Sequence, residues 1–152
     1  MPRGVLWKGL VAGAVAGLVA TAAKTAAEKL YPPRIYGEPE PPEEFADKLA
    51  GHELEGEQKL LASEAVHWSF GASAGAAYGA VAEFYPAATS KHGASFGLVL
   101  MSLTHESALP MMGLSAPPSG QSARERRSEM ATHLVFGVVT EAIRSFVRKR
   151  LE

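Results

Sequence analysis

Long apolar runs alternate with polar connections along this chain. Gly4–Ala23 is the first run, with Lys8 as its single charge. A helix of roughly 20 apolar residues crosses a bilayer. Lys8 can snorkel to the interface there, and Trp7 suits the interfacial belt. Ala65–Ala82 is the second run, with His67 its only ionisable group. Gly93–Leu114 is interrupted by His105 and Glu106. Met130–Ile143 is interrupted by His133 and Glu141, and runs into Arg144, Arg148, Lys149 and Arg150. The last two runs are too polar to stand in lipid without neighbours covering their polar groups. The pattern predicts an all-α integral membrane bundle of about four transmembrane helices in up-down topology, over roughly residues 4–28, 62–84, 92–113 and 128–148. The whole chain, 1–152, reads as a single membrane domain.

Glycines recur every fourth residue within the first two runs: Gly9, Gly13 and Gly17, then Gly71, Gly75 and Gly79. Gly93 and Gly97 open the third. Each costs about 1 kcal/mol against alanine in a soluble helix. In a bilayer such stripes let helix backbones approach closely, and they suit self-association as readily as packing within one chain. The competing reading is Ala/Gly bias in a soluble bundle.

The connections carry the punctuation. Tyr31-Pro-Pro-Arg34 ends the first helix. An acidic, Pro-rich extramembrane loop, 32–61, follows; its Glu38-Pro-Glu-Pro-Pro42 stretch reads as extended. Pro42-Glu-Glu then opens a short helical stretch that Gly51 closes, with Phe45 and Leu49 on one face. This stretch is either a helix on the membrane surface or part of a solvated acidic loop. Ala116-Pro-Pro-Ser-Gly120 forms a turn before Arg124-Glu-Arg-Arg127.

Composition adds exclusions. Apolar residues make up 47% and charged residues 20%, but the charges are segregated between the runs. Cysteine is absent, which removes disulfides, thiolate metal sites and cysteine nucleophiles. A formal net charge of −1 gives no footprint for nucleic acid. The expected partner is the lipid bilayer, and partner proteins are unspecified. The N-terminal run has the look of a signal peptide but reads as an uncleaved helix, since further spans follow. Arg3, Lys8 and the basic tail favour both termini in the cytoplasm of a bacterial inner membrane, against Arg124, Arg126 and Arg127 on the other side.

Up-down topology sorts the ionisable residues. One side collects Lys24, Glu28, Glu64, His67, His105, Glu106, Glu129 and His133; Glu83 and Glu141 fall towards the other. Lys24 and Glu28 are spaced to pair, and the Glu64/His67 and Glu129/His133 pairs each share a face. His105 and Glu106 are adjacent and cannot point the same way. Pro110 cannot donate to the Glu106 carbonyl, which predicts a kink. Three uses fit this cluster: a structural lock or support for an assembly, a proton or small-solute pathway centred on His67, His105, Glu106 and His133, and a metal site. The metal candidates are Glu64, His67, Glu129 and His133, because Glu64-x-x-His67 matches the Glu-x-x-His element of di-iron bundles. Glu129-x-x-x-His133 departs from that spacing. No cofactor is expected.

Catalytic signatures are missing. Gly93-Ala-Ser-Phe-Gly97 has the form of a nucleophile elbow, but no strand precedes it and it reads as helix packing. No phosphate loop or dinucleotide fingerprint occurs, and a non-enzymatic protein is expected.

Several motifs together resemble the YagU family of uncharacterised bacterial inner-membrane proteins. They are Ala82-Glu-Phe-Tyr-Pro86, Leu109-Pro-Met-Met-Gly-Leu114 with Pro117 and Pro118, and Ser128-Glu-Met-Ala-Thr-His-Leu-Val135 with Glu141 and Arg144. Lys24 to Glu28, Pro32-Pro-Arg34 and His105 before the Leu-Pro element are similar too. The resemblance implies a polytopic inner-membrane protein and no particular activity.

Overall fold

A computed structural model describes residues 4–34 and 39–151. Arg3 and Glu38, which entered the orientation and loop readings, lie outside the described residues. All regular structure among the described residues is helical. The helices are α1 (Leu6–Leu30), α2 (Pro41–Ala50), α3 (Gly56–Phe84), α4 (Ala94–Leu103) and α5 (Ala123–Arg150). A 3-10 segment, Pro86–Gly93, joins α3 to α4. α4 continues through a π-helical turn, Thr104–Ala108, into a last turn at Leu109–Met111.

α1 packs between α3 and α5, and α4 packs on α5, which gives the row α3–α1–α5–α4. The glycines set the closest approaches. Gly9 faces Gly79, Gly13 faces Gly75 and Gly17 faces Gly71, one antiparallel seam between α1 and α3. A Cβ at Gly9 would lie 2.6 Å from the Gly79 carbonyl oxygen, so only hydrogen fits. Thr21 extends the seam, donating from Oγ1 to the Gly17 carbonyl at 2.8 Å. A second seam joins α4 to α5, where Gly93 and Gly97 meet the backbone of Gly137 and His133.

The faces of α1 are inverted relative to a water-soluble helix. Gly9, Ala12, Gly13, Ala16, Gly17 and Ala20 are buried, while Leu10, Val11, Val15, Leu18 and Val19 are exposed. Two helices, Leu6–Leu30 and Ala123–Arg150, are long and apolar enough to cross a membrane. α3 is long enough, but Gly, Ala and Ser dilute its hydropathy and its first turns carry Glu57, Lys59 and Glu64. α4 is cut short by the π turn.

Three boundaries differ from the sequence expectation. α3 starts at Gly56 rather than near 62, because its first turns are tied down: Lys59 pairs with Asp47 at 3.0 Å and the Leu54 amide donates to Asp47 at 2.8 Å. These two donors, the amide first, hold the Asp47 carboxyl below its ordinary pKa. α5 starts at Ala123 rather than near 128, because Ser122 caps it, accepting from the Glu125 amide at 3.0 Å. The third helix is not continuous over 92–113. Pro110 supplies no N–H, and the chain widens just before it, with the Leu109 amide bonded to the Thr104 carbonyl. The π turn stands just before Pro110, where the sequence predicted a kink. Within the 32–61 connection, α2 packs on α3 with Ala46 buried, and Gly51 ends it with φ 76°.

Candidate functional site

Glu129 is the centre of the polar cluster. It lies on α5 and is 2% exposed. Four nitrogens surround its carboxylate: His105 Nε2 at 3.4 Å, His133 Nδ1 at 3.5 Å, Arg34 Nη1 at 3.7 Å and Lys24 Nζ at 3.9 Å. None makes a hydrogen bond to it, and both Glu129 oxygens are buried without a hydrogen-bond partner. Such a group costs about 1–3 kcal/mol, more when charged.

Each neighbour is held by its own element. His133 follows Glu129 by one helical turn, and its Nδ1 lies 2.8 Å from the Glu129 backbone carbonyl. Nδ1 is therefore the protonated nitrogen, and the Nε2 lone pair is left free. His105 rides on the π turn, with its ring 5.0 Å from that of His133. Its backbone carbonyl accepts from Gln121 Nε2 at 3.1 Å, which ties the π turn to the loop before α5. Lys24 is paired along α1 with Glu28. Ser128 donates to the Tyr31 carbonyl, bringing the start of α5 against the end of α1.

The other sequence candidates lie outside this contact shell. Glu106 turns away from His105 and accepts from Ser102 Oγ at 3.1 Å. Glu64 is exposed and accepts from Trp68 Nε1 at 2.7 Å. His67 Nε2 sits 3.2 Å from Thr25 Oγ1. The Glu64-x-x-His67 element therefore does not meet Glu129 and His133. The trio brought together is His105, Glu129 and His133, with one donor atom from each within 4.8 Å of the others.

A cavity of about 670 Å³ adjoins the cluster. α3 and α4, at the two ends of the row, wall it with Val66, Phe70, Leu100 and Leu109 among others. Thr21, Phe136, Phe45 and Leu49 of α2, Met112 and Leu114 also line it. Lys48 Nζ donates to the Met112 carbonyl at 2.6 Å, which ties α2 to the turn after Leu109–Met111. His67, His105, Glu129 and His133 all line the cavity.

The far end of the bundle holds a separate network. Arg148 grips Glu83 with two short bonds, 2.8 and 2.7 Å, and the Val5 amide donates to the same carboxylate at 2.9 Å. Arg144 bonds both Glu141 oxygens at 2.7 and 2.8 Å, and the Tyr78 hydroxyl donates to Glu141 at 2.7 Å. Sequence reasoning placed Glu83 and Glu141 at this end but missed Tyr78 as a partner. It also missed Arg34 and Gln121 in the cluster, and Gly137 in the second seam. Gly137, a lone glycine in an apolar run one turn after His133, was the one available signal.

Comparison with curated proteins gives no match, and neither does comparison with solved structures. A family model covers the chain from just after Gly17 in α1 into the second half of α5, including every cluster residue and, apart from Arg144, every motif resembling YagU. The chain belongs to the family described as proteins of unknown function, DUF1440, whose model matches residues 18–142.

Proposed function

We propose that the protein is a non-enzymatic, multi-pass protein of the bacterial inner membrane, crossed by α1, α3, α4 with its π-helical continuation, and α5, whose cleft seats a lipid chain. The inverted faces of α1 support the membrane placement. Association in lipid rests on close backbone packing, so small residues belong inside and Leu and Val outside. In water the same exposed stripe, continued by Phe70, Val81 and Phe84 on α3 and Val99 and Leu103 on α4, would be an aggregation surface. The seam of facing glycines supports α3 as a crossing partner of α1. Both termini lie in the cytoplasm in this reading, favoured by Lys8, Lys91, Arg148, Lys149 and Arg150 at that end.

The cleft carries the functional part. Its 670 Å³ falls within the range of about 300–1,000 Å³ typical of ligand sites, and such sites are mostly apolar with a few convergent polar groups. α3 and α4 meet through the stacked rings of Tyr78 and Phe96, 4.2 Å apart, and in this reading the cleft opens to the bilayer between the two helices beyond that stack. Lipid is the solvent there, and a chain entering between the walls needs no water-filled path.

Native mass spectrometry of the detergent-purified protein tests this. One lipid-mass adduct is expected to survive conditions that strip detergent, and to disappear when Ser69→Phe and Ser73→Phe fill the cleft. A bare chain, or an adduct indifferent to the filling, would refute the lipid site.

A further inference from the structure

We infer that His105, Glu129 and His133 form a binding site for one divalent first-row transition-metal ion, reached from the cleft. The inference stands on the donor set and does not depend on what fills the rest of the cavity.

The donor set is two imidazoles and a carboxylate, which suits zinc and its neighbours in the first row. Bonds of about 2.0–2.2 Å in a tetrahedral site put ligand atoms about 3.4 Å apart. His105 Nε2 and Glu129 Oε2 are separated by 3.4 Å. His133 offers Nε2, since Nδ1 is committed to the Glu129 backbone carbonyl at 2.8 Å. Metal-bound histidines commonly have their second nitrogen held this way, which fixes the ring and the tautomer.

Glu129 supplies the independent observation. A carboxylate 2% exposed, with both oxygens lacking hydrogen bonds, needs a partner close to it. Lys24 and Arg34 do not fill that role. At 3.9 and 3.7 Å they stand outside hydrogen-bonding distance, and Lys24 is already paired with Glu28. Nor do these cations exclude a metal. The cavity lining carries Lys24 and Arg34 against Glu28, Glu40 and Glu129, so an added dication leaves a net charge of only +1. The three ligands all border the cavity, which leaves a fourth position open to water or to a ligand's donor atom.

Sequence spacing pointed to Glu64, His67, Glu129 and His133; the structure joins Glu129 and His133 to His105 rather than to Glu64 and His67. The π turn is what moves His105 into place, and π turns inside helices are frequent at functional sites.

The test uses the full chain in detergent, stripped with a chelator and titrated with Co²⁺ and Zn²⁺. Binding is expected at one equivalent per chain, with the intense visible bands of tetrahedral Co²⁺ and a Zn²⁺-dependent rise in melting temperature. His105→Asn, Glu129→Gln and His133→Asn should each weaken binding by at least about tenfold. Glu64→Gln should leave it unchanged. Arg34→Gln should tighten it, by removing a competing cation. His105→Asn is the decisive variant if those on α5 fold poorly, because His105 lies on a separate element. Absence of stoichiometric metal, or equal affinity in wild type and His105→Asn, would overturn the inference.

Discussion

Replacing Gly75 by alanine adds one methyl group in the middle of the α1–α3 seam. That methyl would collide with the Gly13 carbonyl oxygen and lie 2.6 Å from the Gly17 Cα. Both are backbone atoms, so no side-chain rotation relieves the clash. Ordinary contact begins at 3.4 Å, so the helices must part by about 0.8 Å to clear the Gly17 Cα and by somewhat more to clear the Gly13 oxygen. A gap of that size forfeits roughly a quarter to a half of each van der Waals contact along the seam. Overpacking of this kind costs about 1–3 kcal/mol, while exchanging glycine for alanine within a helix returns up to about 1 kcal/mol. The net loss expected is about 1–2 kcal/mol. At about 2–4 °C per kcal/mol, melting in mild detergent should fall by several degrees. Gly120→Ala is the control, because its methyl meets nothing closer than 3.5 Å. Gly13→Ala combined with Gly75→Ala should cost less than the sum of the two, since the seam is already open after the first. If Gly75→Ala melts at or above the wild-type temperature, the seam does not hold α1 against α3.

Further predictions concern the ends of helices and the junction of α2 with α3. Ser122→Ala removes the cap of α5 and should cost about 1 kcal/mol, read as a lower melting temperature, with Ser122→Asp restoring it. The Asp47 carboxyl is held below its ordinary pKa by the Leu54 amide and Lys59, so its contribution is fully present above about pH 3.9, the usual value, and is lost as pH falls through the depressed one. Protection of the Leu54 amide, its intrinsic exchange rate over the observed one at each pH, should fall only in that acid window, and Asp47→Asn should lower the protection at neutral pH too.

The helical character and the glycine stripes were legible because both are periodic. A four-residue step marks a face whatever the partner, and Gly9 to Gly17 and Gly71 to Gly79 do face one another. Their register, Gly13 against Gly75, was not legible, since spacing within a helix carries no information about its partner. The cluster was partly legible. Lys24, Glu28, His105, Glu129 and His133 share one end because the topology folds them there. Glu64 and Glu106 were grouped with them by position along the chain, but each turns outward to a local donor, Trp68 and Ser102. Rotation about a helix axis decided that, and a π turn resets it at His105. Arg34 and Gln121 reach the cluster from connections, where no periodicity points. The start of α5 was readable in hindsight from Ser122 and Glu125, a capping pair that its charged first turns obscured.

The central proposal is that α3 and α4 cross the membrane together with α1 and α5, the two helices long and apolar enough to do so. With no native cysteine, single-cysteine variants can be labelled cleanly from each side. Ser90, His52 and Ser119 are exposed between the helices. In oriented membranes, an impermeant maleimide should reach Ser90→Cys from the side that carries both termini. It should reach His52→Cys and Ser119→Cys only from the opposite side. If Ser90→Cys labels from the same side as His52→Cys, α3 does not cross, and the four-span account fails.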